Sequence, residues 1–188
     1  MLHFPLPTAE TAPEASRATL VAVEKAWGFT PNLIRTFANS PATLQGVWGL
    51  LGAFQQSSFT PAERELVLIA ASVENACGYC TAGHSLMGKG AGLSDVQIAA
   101  LRAGQPLENA RLEALRVFTV AVVAKRGFVD DLELQRFLAQ GYSQAQVLEV
   151  LLGVAAKTLT NYTDHIARVA LDDAFQSAAW TPAPRQAA

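Results

Sequence analysis

Both cysteines of the chain and one of its three histidines, Cys77, Cys80 and His84, lie within eight positions of one another. On an α-helix these positions are i, i+3 and i+7, so the three side chains share one narrow stripe. A thiol attacks a peroxide or a disulfide only as the thiolate, which requires its pKa to be lowered from about 8.5. A helix beginning at Gly78 would place Cys80 in its first turn, where unpaired N–H groups favour a negative sulfur. His84, one turn later, could then take the proton.

The second cysteine gives this thiol a route back to its reduced form. Cys77 can condense with a sulfenic acid on Cys80, and the resulting disulfide protects both sulfurs from irreversible oxidation. The pair therefore predicts a catalytic cycle in which a small peroxide is reduced and an external dithiol restores the thiols. Apolar surface around the motif would be the docking place of that reductant.

Two other interpretations of the pair remain open. The cysteines could be small buried hydrophobic residues, with His84 a packed or surface residue. Zinc could instead be bound by Cys77, Cys80 and His84 with Glu74 or Glu65, but structural zinc sites normally draw a second ligand pair from elsewhere, and the chain has no other cysteine. We predict neither a metal nor a cofactor.

Composition limits the classes of partner. Charged residues are 16% of the 188-residue chain and apolar residues 51%, against a typical charged share of about 25%, so we expect an oligomer with apolar interfaces. The formal charge of −2 provides no basic surface for nucleic acid or anionic lipid. The sequence shows no signal peptide and no long uninterrupted apolar run, which predicts a soluble, cytoplasmic protein without membrane partners.

Helix signals dominate the chain and predict an all-α fold. Cap residues precede the predicted first turns at Ser40-Pro41, Thr60-Pro61, Ser94, Asp130 and Ser143, while Gly104, Gly127 and Gly141 mark helix ends. The predicted helices lie near 13–27, 41–56, 61–76, 78–89, 95–103, 108–126, 131–140 and 144–175, the last with a break near Asn161. We predict one domain over residues 1–180 and a flexible tail over 181–188.

A short internal echo suggests two related helical units. Glu65 precedes Cys80-x-x-x-His84, and Glu149 precedes Asn161-x-x-x-His165 with a spacing three residues shorter. Asp164 and His165 could line a pocket, but a lone histidine on a long helix is more often packed or capping. For Trp27, Trp48 and Phe54 we predict core or interface positions, without a chemical role.

The pattern Glu65-x11-Cys77-x-x-Cys80-x-x-x-His84 resembles the signature of the AhpD-like alkylhydroperoxidases, within the carboxymuconolactone decarboxylase superfamily. The surrounding runs 60–67 and 28–33, the latter followed by Ser40-Pro41, are similar to its peroxidase-related subfamily. The resemblance implies an AhpD-like helical bundle, a homotrimer or homohexamer, and a thiol-dependent peroxidase reduced by a lipoyl or thioredoxin-like dithiol. It also implies that Glu65 is the acid of a proton relay, His84 its base, Cys80 the thiol nearest the relay and Cys77 the disulfide partner.

The chain departs from that family pattern at one position. Relatives carry a further histidine between the two cysteines, and here that position is Tyr79, so one relay member is absent or replaced by a phenol. Helix rise places Glu65 about 18 Å from Cys77 along one helix. We therefore expect Glu65 to need a crossing angle, a bridging water or a neighbouring subunit to reach His84, with Glu74 as the alternative acid. Other functions remain open: a non-catalytic redox-sensing or zinc-binding module, or another enzyme of the superfamily such as a decarboxylase.

Overall fold

The chain folds into helices joined by short turns. The computed structural model describes residues 4–182, in which nine α-helices and one 3₁₀ helix form and no residue lies in a strand. This confirms the all-α prediction; of the predicted tail, residues 183–188 lie outside the described part. In chain order the helices are α1 Glu14–Trp27, α2 Asn32–Phe37, α3 Pro41–Gln55, α4 Pro61–Glu74, α5 Gly78–Gly90, α6 Asp95–Arg102, α7 Ala110–Ala124, α8 Asp131–Ala139, α9 Gln144–Ala167 and the 3₁₀ helix Asp173–Ala178.

The predicted start and stop signals are mostly in place. Complete capping boxes begin four helices, at Thr60, Ser94, Asp130 and Ser143. The three predicted stop glycines adopt positive φ angles, as a left-handed helix cap requires. Ser40 occupies the cap position of α3 but its side chain makes no capping hydrogen bond.

Helix α4 is the central helix and is buried nearly all round, because α5, α6, α7 and α9 pack against it. On one side lies an apolar cluster with α6, α7, α8 and α9, in which the Phe137 ring stacks on Phe118 and on Tyr142 with centroids 4.4 Å apart in each pair. A second cluster joins α1, α2 and α3 to α5, and both cysteines belong to it.

The structure differs from the predicted helices at α2 and α9. Helix α2 was not predicted, because six residues behind Pro31 are too few to show a helical period. Helix α9 ends at Ala167 and not at 175, since Arg168 takes a left-handed conformation with φ +51° and its N–H bonds to the Asp164 carbonyl. The predicted break near Asn161 is also wrong, because α9 is continuous there and the Asn161 Oδ1 accepts a hydrogen bond from Asn75, the residue after α4, at 3.0 Å.

The surface carries several large apolar side chains. Leu148 is 67% exposed and Ile166 74% exposed on α9, and Phe128 is 86% exposed in the turn after α7.

None of the helices in residues 4–182 combines the length and the hydropathy that crossing a bilayer would take.

Candidate active site

The turn between α4 and α5 fixes the position of the cysteines. The Cys77 N–H donates to the Ser72 carbonyl at 2.9 Å and the Ala76 N–H to the Val73 carbonyl at 2.9 Å, which is the Schellman pattern of a helix end. Ala76 has φ +57°, a left-handed conformation that glycine usually adopts. Cys77 then serves as the N-cap of α5, and its Sγ accepts the Cys80 N–H at 3.4 Å. Cys80 therefore lies in the first turn of α5, as predicted.

The two thiols are free and buried, with 0% exposure for Cys77 and 3% for Cys80. The single hydrogen of the Cys77 thiol has two possible acceptors, Asp164 Oδ2 at 3.2 Å from Sγ and the Cys80 sulfur. The interaction with the Cys80 sulfur, followed by burial, raises the pKa of Cys77. Burial opposes ionisation of Cys80 as well, but the Cys77 thiol, the positive charge of Lys157 and a hydrogen bond with Asn161 together hold the pKa of Cys80 well below its ordinary value. The two shifts run in opposite directions and favour ionisation of Cys80 over ionisation of Cys77.

A row of three polar side chains stands beside Cys80. His84 Nδ1 lies 2.9 Å from Glu65 Oε2, and His84 Nε2 lies 3.0 Å from Lys157 Nζ. An ammonium group can only donate, so Nε2 accepts from Lys157 and Nδ1–H donates to Glu65. The row can store and move a proton next to the Cys80 sulfur.

Glu65 and His84 are in direct contact within this chain, so neither a bridging water nor a neighbouring subunit, two of the three expected routes, is needed to join them. Helices α4 and α5 approach closely at Gly88, where a Cβ would lie 3.2 Å from the Ile69 side chain and 3.6 Å from Glu65 Cβ. The absence of a side chain at Gly88 permits this approach, which lets the long Glu65 side chain reach His84. Glu74, the alternative acid, lines a different cavity together with His165.

An apolar cavity of about 170 Å³ opens onto Cys80. Its polar wall contains the row described above, and its apolar wall contains Trp27 and Trp48, whose rings meet edge to face at 5.7 Å. The prediction that these two tryptophans would be core or interface residues is therefore incomplete, since both face the space in front of the thiol. Cys77 is not part of the wall, so a ligand in this cavity meets Cys80.

Tyr79 does not stand in for the missing histidine. Its hydroxyl donates to Asp172 Oδ2 and accepts the Leu33 N–H at 3.2 Å, which directs it toward α2 and away from the thiols. Burial, followed by the hydrogen bond to Asp172, raises the pKa of Tyr79. The phenol is a structural link between α5, α2 and the segment after α9.

Helix α9 supplies three side chains that the sequence analysis did not assign to the site. Lys157, Asn161 and Asp164 lie at i, i+4 and i+7 and so share one face of the helix, which points at the cysteines. The signal that could have identified Lys157 is its position: it is the only charged residue between Glu149 and Asp164, and it lies on the buried face.

The similar sequence patterns at 65–84 and 149–165 do not make similar contacts. The Glu149 carboxylate accepts the Ser58 N–H at 2.9 Å and the Ser58 hydroxyl at 2.7 Å. His165 stacks against Tyr162 with a centroid distance of 6.2 Å. The two related units remain a hypothesis.

The described residues contain no group of three or more His, Cys, Asp and Glu side chains arranged to hold a metal ion. Both ring nitrogens of His84 are already engaged, which leaves no lone pair directed at the thiols.

Comparison with known proteins agrees with this architecture. Residues 41–119 match the sequence model of the carboxymuconolactone decarboxylase family. An uncharacterized peroxidase-related protein with an alkylhydroperoxidase AhpD core from Ralstonia eutropha JMP134 superposes with a TM-score of 0.83 at 20% identity, over 92% of this chain and 93% of that one. A second peroxidase-related protein, from Silicibacter sp. TM1040, gives 0.79 at 15% identity, over 93% and 92%. The debrominase Bmp8 C82A, in complex with 2,3,4-tribromopyrrole, gives 0.80 at 18% identity, over 95% of each chain. No curated protein sequence matches.

The fold and the site define an all-α protein of AhpD-like architecture with a buried dithiol. Residues 41–119, from α3 into α7, match the carboxymuconolactone decarboxylase family model, and the chain has the fold of the AhpD-like peroxidase-related proteins. The resemblance noted in the sequence is confirmed at this level.

Proposed function

We propose that the protein is a thiol-dependent peroxidase. The observation that carries the proposal is the asymmetry of the pair: Cys80 has a lowered pKa and faces a cavity, while Cys77 is held protonated beside it. The Cys80 thiolate attacks the distal peroxide oxygen and becomes a sulfenic acid. The leaving alkoxide or hydroxide takes a proton from the row of Glu65, His84 and Lys157.

In the second half of the cycle Cys77 attacks the Cys80 sulfur, a disulfide forms and water leaves. An external dithiol, lipoyl or thioredoxin-like, then reduces the disulfide and is itself oxidised. In this scheme Lys157 stabilises the thiolate, and Glu65 orients His84, which accepts from Lys157. Residue Tyr79 takes no part in proton transfer, because its hydroxyl is bound elsewhere.

Peroxide consumption with dithiothreitol or dihydrolipoamide as reductant tests the proposal. Cys80→Ser should abolish turnover, and Cys77→Ser should lower it, because the external dithiol alone must then reduce the Cys80 sulfenic acid. The exposed Lys89, whose side chain is 62% accessible, offers the control Lys89→Met on the same helix. Unchanged turnover in both cysteine variants would rule out a dithiol cycle.

The cavity supports a second candidate, reductive dehalogenation of a flat halogenated aromatic compound. Its two tryptophans suit an aromatic ligand, and a debrominase shares the fold. An aryl bromide and two thiols would give the arene, bromide, a proton and the disulfide. Bromide release from a tribromopyrrole, compared with peroxide consumption under the same reductant, distinguishes the two activities.

Two further alternatives are a non-catalytic protein and a decarboxylase. Such a module would sense oxidation through its pair or bind zinc, and a decarboxylase of the superfamily would use neither thiol. Stoichiometric zinc in protein purified without chelator would favour the binding module. If the Cys80→Ser variant catalysed a decarboxylation at the wild-type rate, that result would favour the decarboxylase.

We also propose a homotrimer or homohexamer. The support is the low charge content and the exposed apolar side chains on α9 and after α7. Light scattering coupled to size-exclusion chromatography measures the mass of the particle, and a monomer at micromolar concentration would contradict this proposal.

A further inference from the structure

The Cys77 thiol has one hydrogen and two acceptors. Its Sγ lies 3.2 Å from Asp164 Oδ2 and is also hydrogen-bonded to Cys80. While Cys80 is a thiolate, its sulfur competes with the carboxylate for that hydrogen. Once Cys80 is oxidised to a sulfenic acid its sulfur no longer carries the negative charge, and Asp164 is the remaining anionic acceptor in contact with Cys77.

We propose that Asp164 is a catalytic base of the disulfide-forming step, which takes the Cys77 proton as the Cys77 sulfur attacks Cys80. This rests on the proposed dithiol cycle. The new S–S bond forms as the S–O bond of the sulfenic acid breaks, and the leaving hydroxide becomes water with a proton from the row at Lys157, which has regained one from solvent after the peroxide step. The Cys77 proton resides on Asp164 and returns to Cys77 when the external dithiol reduces the disulfide.

The site divides its proton transfers between two sides of the sulfur pair. Lys157 and His84 line the cavity in front of Cys80, where the oxygen leaves. Asp164 contacts Cys77, the thiol that is absent from the cavity wall. A base at Cys77 is needed because that thiol is held protonated, and a protonated thiol is a poor nucleophile.

The surroundings of Asp164 suit a base. The residue is half-buried, and burial raises the pKa of its carboxyl above the ordinary value, with the Cys80 charge acting in the same direction and the Cys77 hydrogen bond and His165 opposing it. The titratable side chains that act on its carboxyl are Cys77, the N-cap of α5, Cys80 of α5 and His165 of α9. Arg168 follows one turn after Asp164, and its N–H bonds to the Asp164 carbonyl. Glu74 of α4 and Arg126, which follows α7, line the neighbouring cavity with His165.

A test that does not depend on peroxide chemistry separates this inference from the proposed function. One equivalent of methyl methanethiosulfonate converts the Cys80 thiolate to a methyl disulfide with release of methanesulfinate. Cys77 then displaces methanethiol and closes the protein disulfide. Rapid quenching and intact-mass measurement follow the two steps as separate species, in wild type, Asp164→Asn and the matched control Asp173→Asn, which changes an exposed aspartate of the 3₁₀ helix.

We expect Asp164→Asn to label Cys80 at close to the wild-type rate and to close the disulfide about 10²-fold more slowly, the usual size of general-base catalysis. Asparagine keeps an oxygen that can accept the Cys77 hydrogen bond, so a slower second step reports loss of the base. Asp173→Asn should match wild type in both steps. Closure at the wild-type rate in Asp164→Asn, or equal slowing of both steps, would overturn the inference.

The pH profile of the wild-type closing step provides a measurement that needs no variant. With Asp164 as base the rate levels off once that carboxyl is ionised, whereas without a base it rises in proportion to hydroxide up to the raised pKa of Cys77. A proportional rise in the wild type would also overturn the inference. Absence of peroxide turnover with a normal Asp164 effect would instead count against the peroxidase alone.

Discussion

Replacement of Lys157 by methionine is the most informative single change at the site. Lys157 is 1% exposed, and its Nζ is held 3.0 Å from His84 Nε2. Its charge is one of the interactions that hold the pKa of Cys80 below the ordinary value. Methionine keeps a similar volume and removes the charge, so the variant asks whether this ammonium group creates the thiolate.

The expected effect follows from the proximity of the charge. An opposite charge within about 4–6 Å changes the pKa of an acid by about 1–3 pH units, and each unit corresponds to about 1.4 kcal/mol. We therefore expect Lys157→Met to raise the pKa of Cys80 by about 1–3 units and to slow its alkylation at neutral pH about 10-fold or more. Unfolding temperature is the control for folding, because the change also removes the hydrogen bond from Lys157 Nζ to His84 Nε2.

The assay is pH-dependent alkylation with a small reagent in a Cys77→Ser background, where the serine hydroxyl can still donate a hydrogen bond to Cys80. Ultraviolet thiolate absorbance provides an independent titration. Lys89→Met, on α5 with Cys80, is the control that removes an exposed lysine, since its side chain is 62% accessible. A folded Lys157→Met protein with an unchanged Cys80 titration would refute the electrostatic reasoning.

Three further predictions concern the scaffold and the relay. Glu65→Gln should lower turnover about 10-fold or more through loss of the anion that orients His84, with unfolding temperature as the control for folding; full activity would contradict the relay. Burial opposes ionisation of Glu63, but hydrogen bonds from Thr60 and Tyr142 hold the pKa of this carboxyl below its ordinary value. Because its pKa is lower in the folded than in the unfolded protein, the ionised Glu63 carboxyl stabilises the fold above its unfolded pKa, and this contribution is lost as the pH falls through its folded pKa. Urea unfolding should therefore give Glu63→Gln a free energy of unfolding about 1–3 kcal/mol lower than wild type at pH 7, with a smaller difference below pH 4. A difference that does not depend on pH would contradict this prediction. Gly153→Ala should lose about 1–3 kcal/mol, because its Cβ would stand 2.9 Å from the Phe54 ring, and an unchanged unfolding midpoint would disprove that contact.

The helices were largely predictable because their signals are local. A capping box needs only four residues, and those at Thr60, Ser94, Asp130 and Ser143 can be read directly from the chain. The end of α9 was not predictable in this way. Arg168 adopts a left-handed conformation without any local glycine signal, and the chain after it packs across α5, where Phe175 lies against Gly83.

In the candidate site, too, only the features set by local sequence were predictable. Cys77, Cys80 and His84 lie on one short segment, so their proximity follows from helical spacing. The contact of Glu65 with His84 depends on how closely α4 and α5 approach at Gly88, which spacing alone does not give. Helix α9 brings Lys157 and Asp164 to the thiols from more than 70 positions along the chain, as in the pairs Lys157–His84 at 73 and Asp164–Cys77 at 87.

Trapping of the oxidised thiol tests the central claim most directly. Cys77→Ser protein, treated with an organic hydroperoxide in the presence of dimedone, should carry one adduct located at residue 80, and wild-type protein treated in the same way should carry the disulfide between residues 77 and 80. Folded protein that keeps both thiols reduced and unlabelled, while excess hydroperoxide remains, would contradict the account.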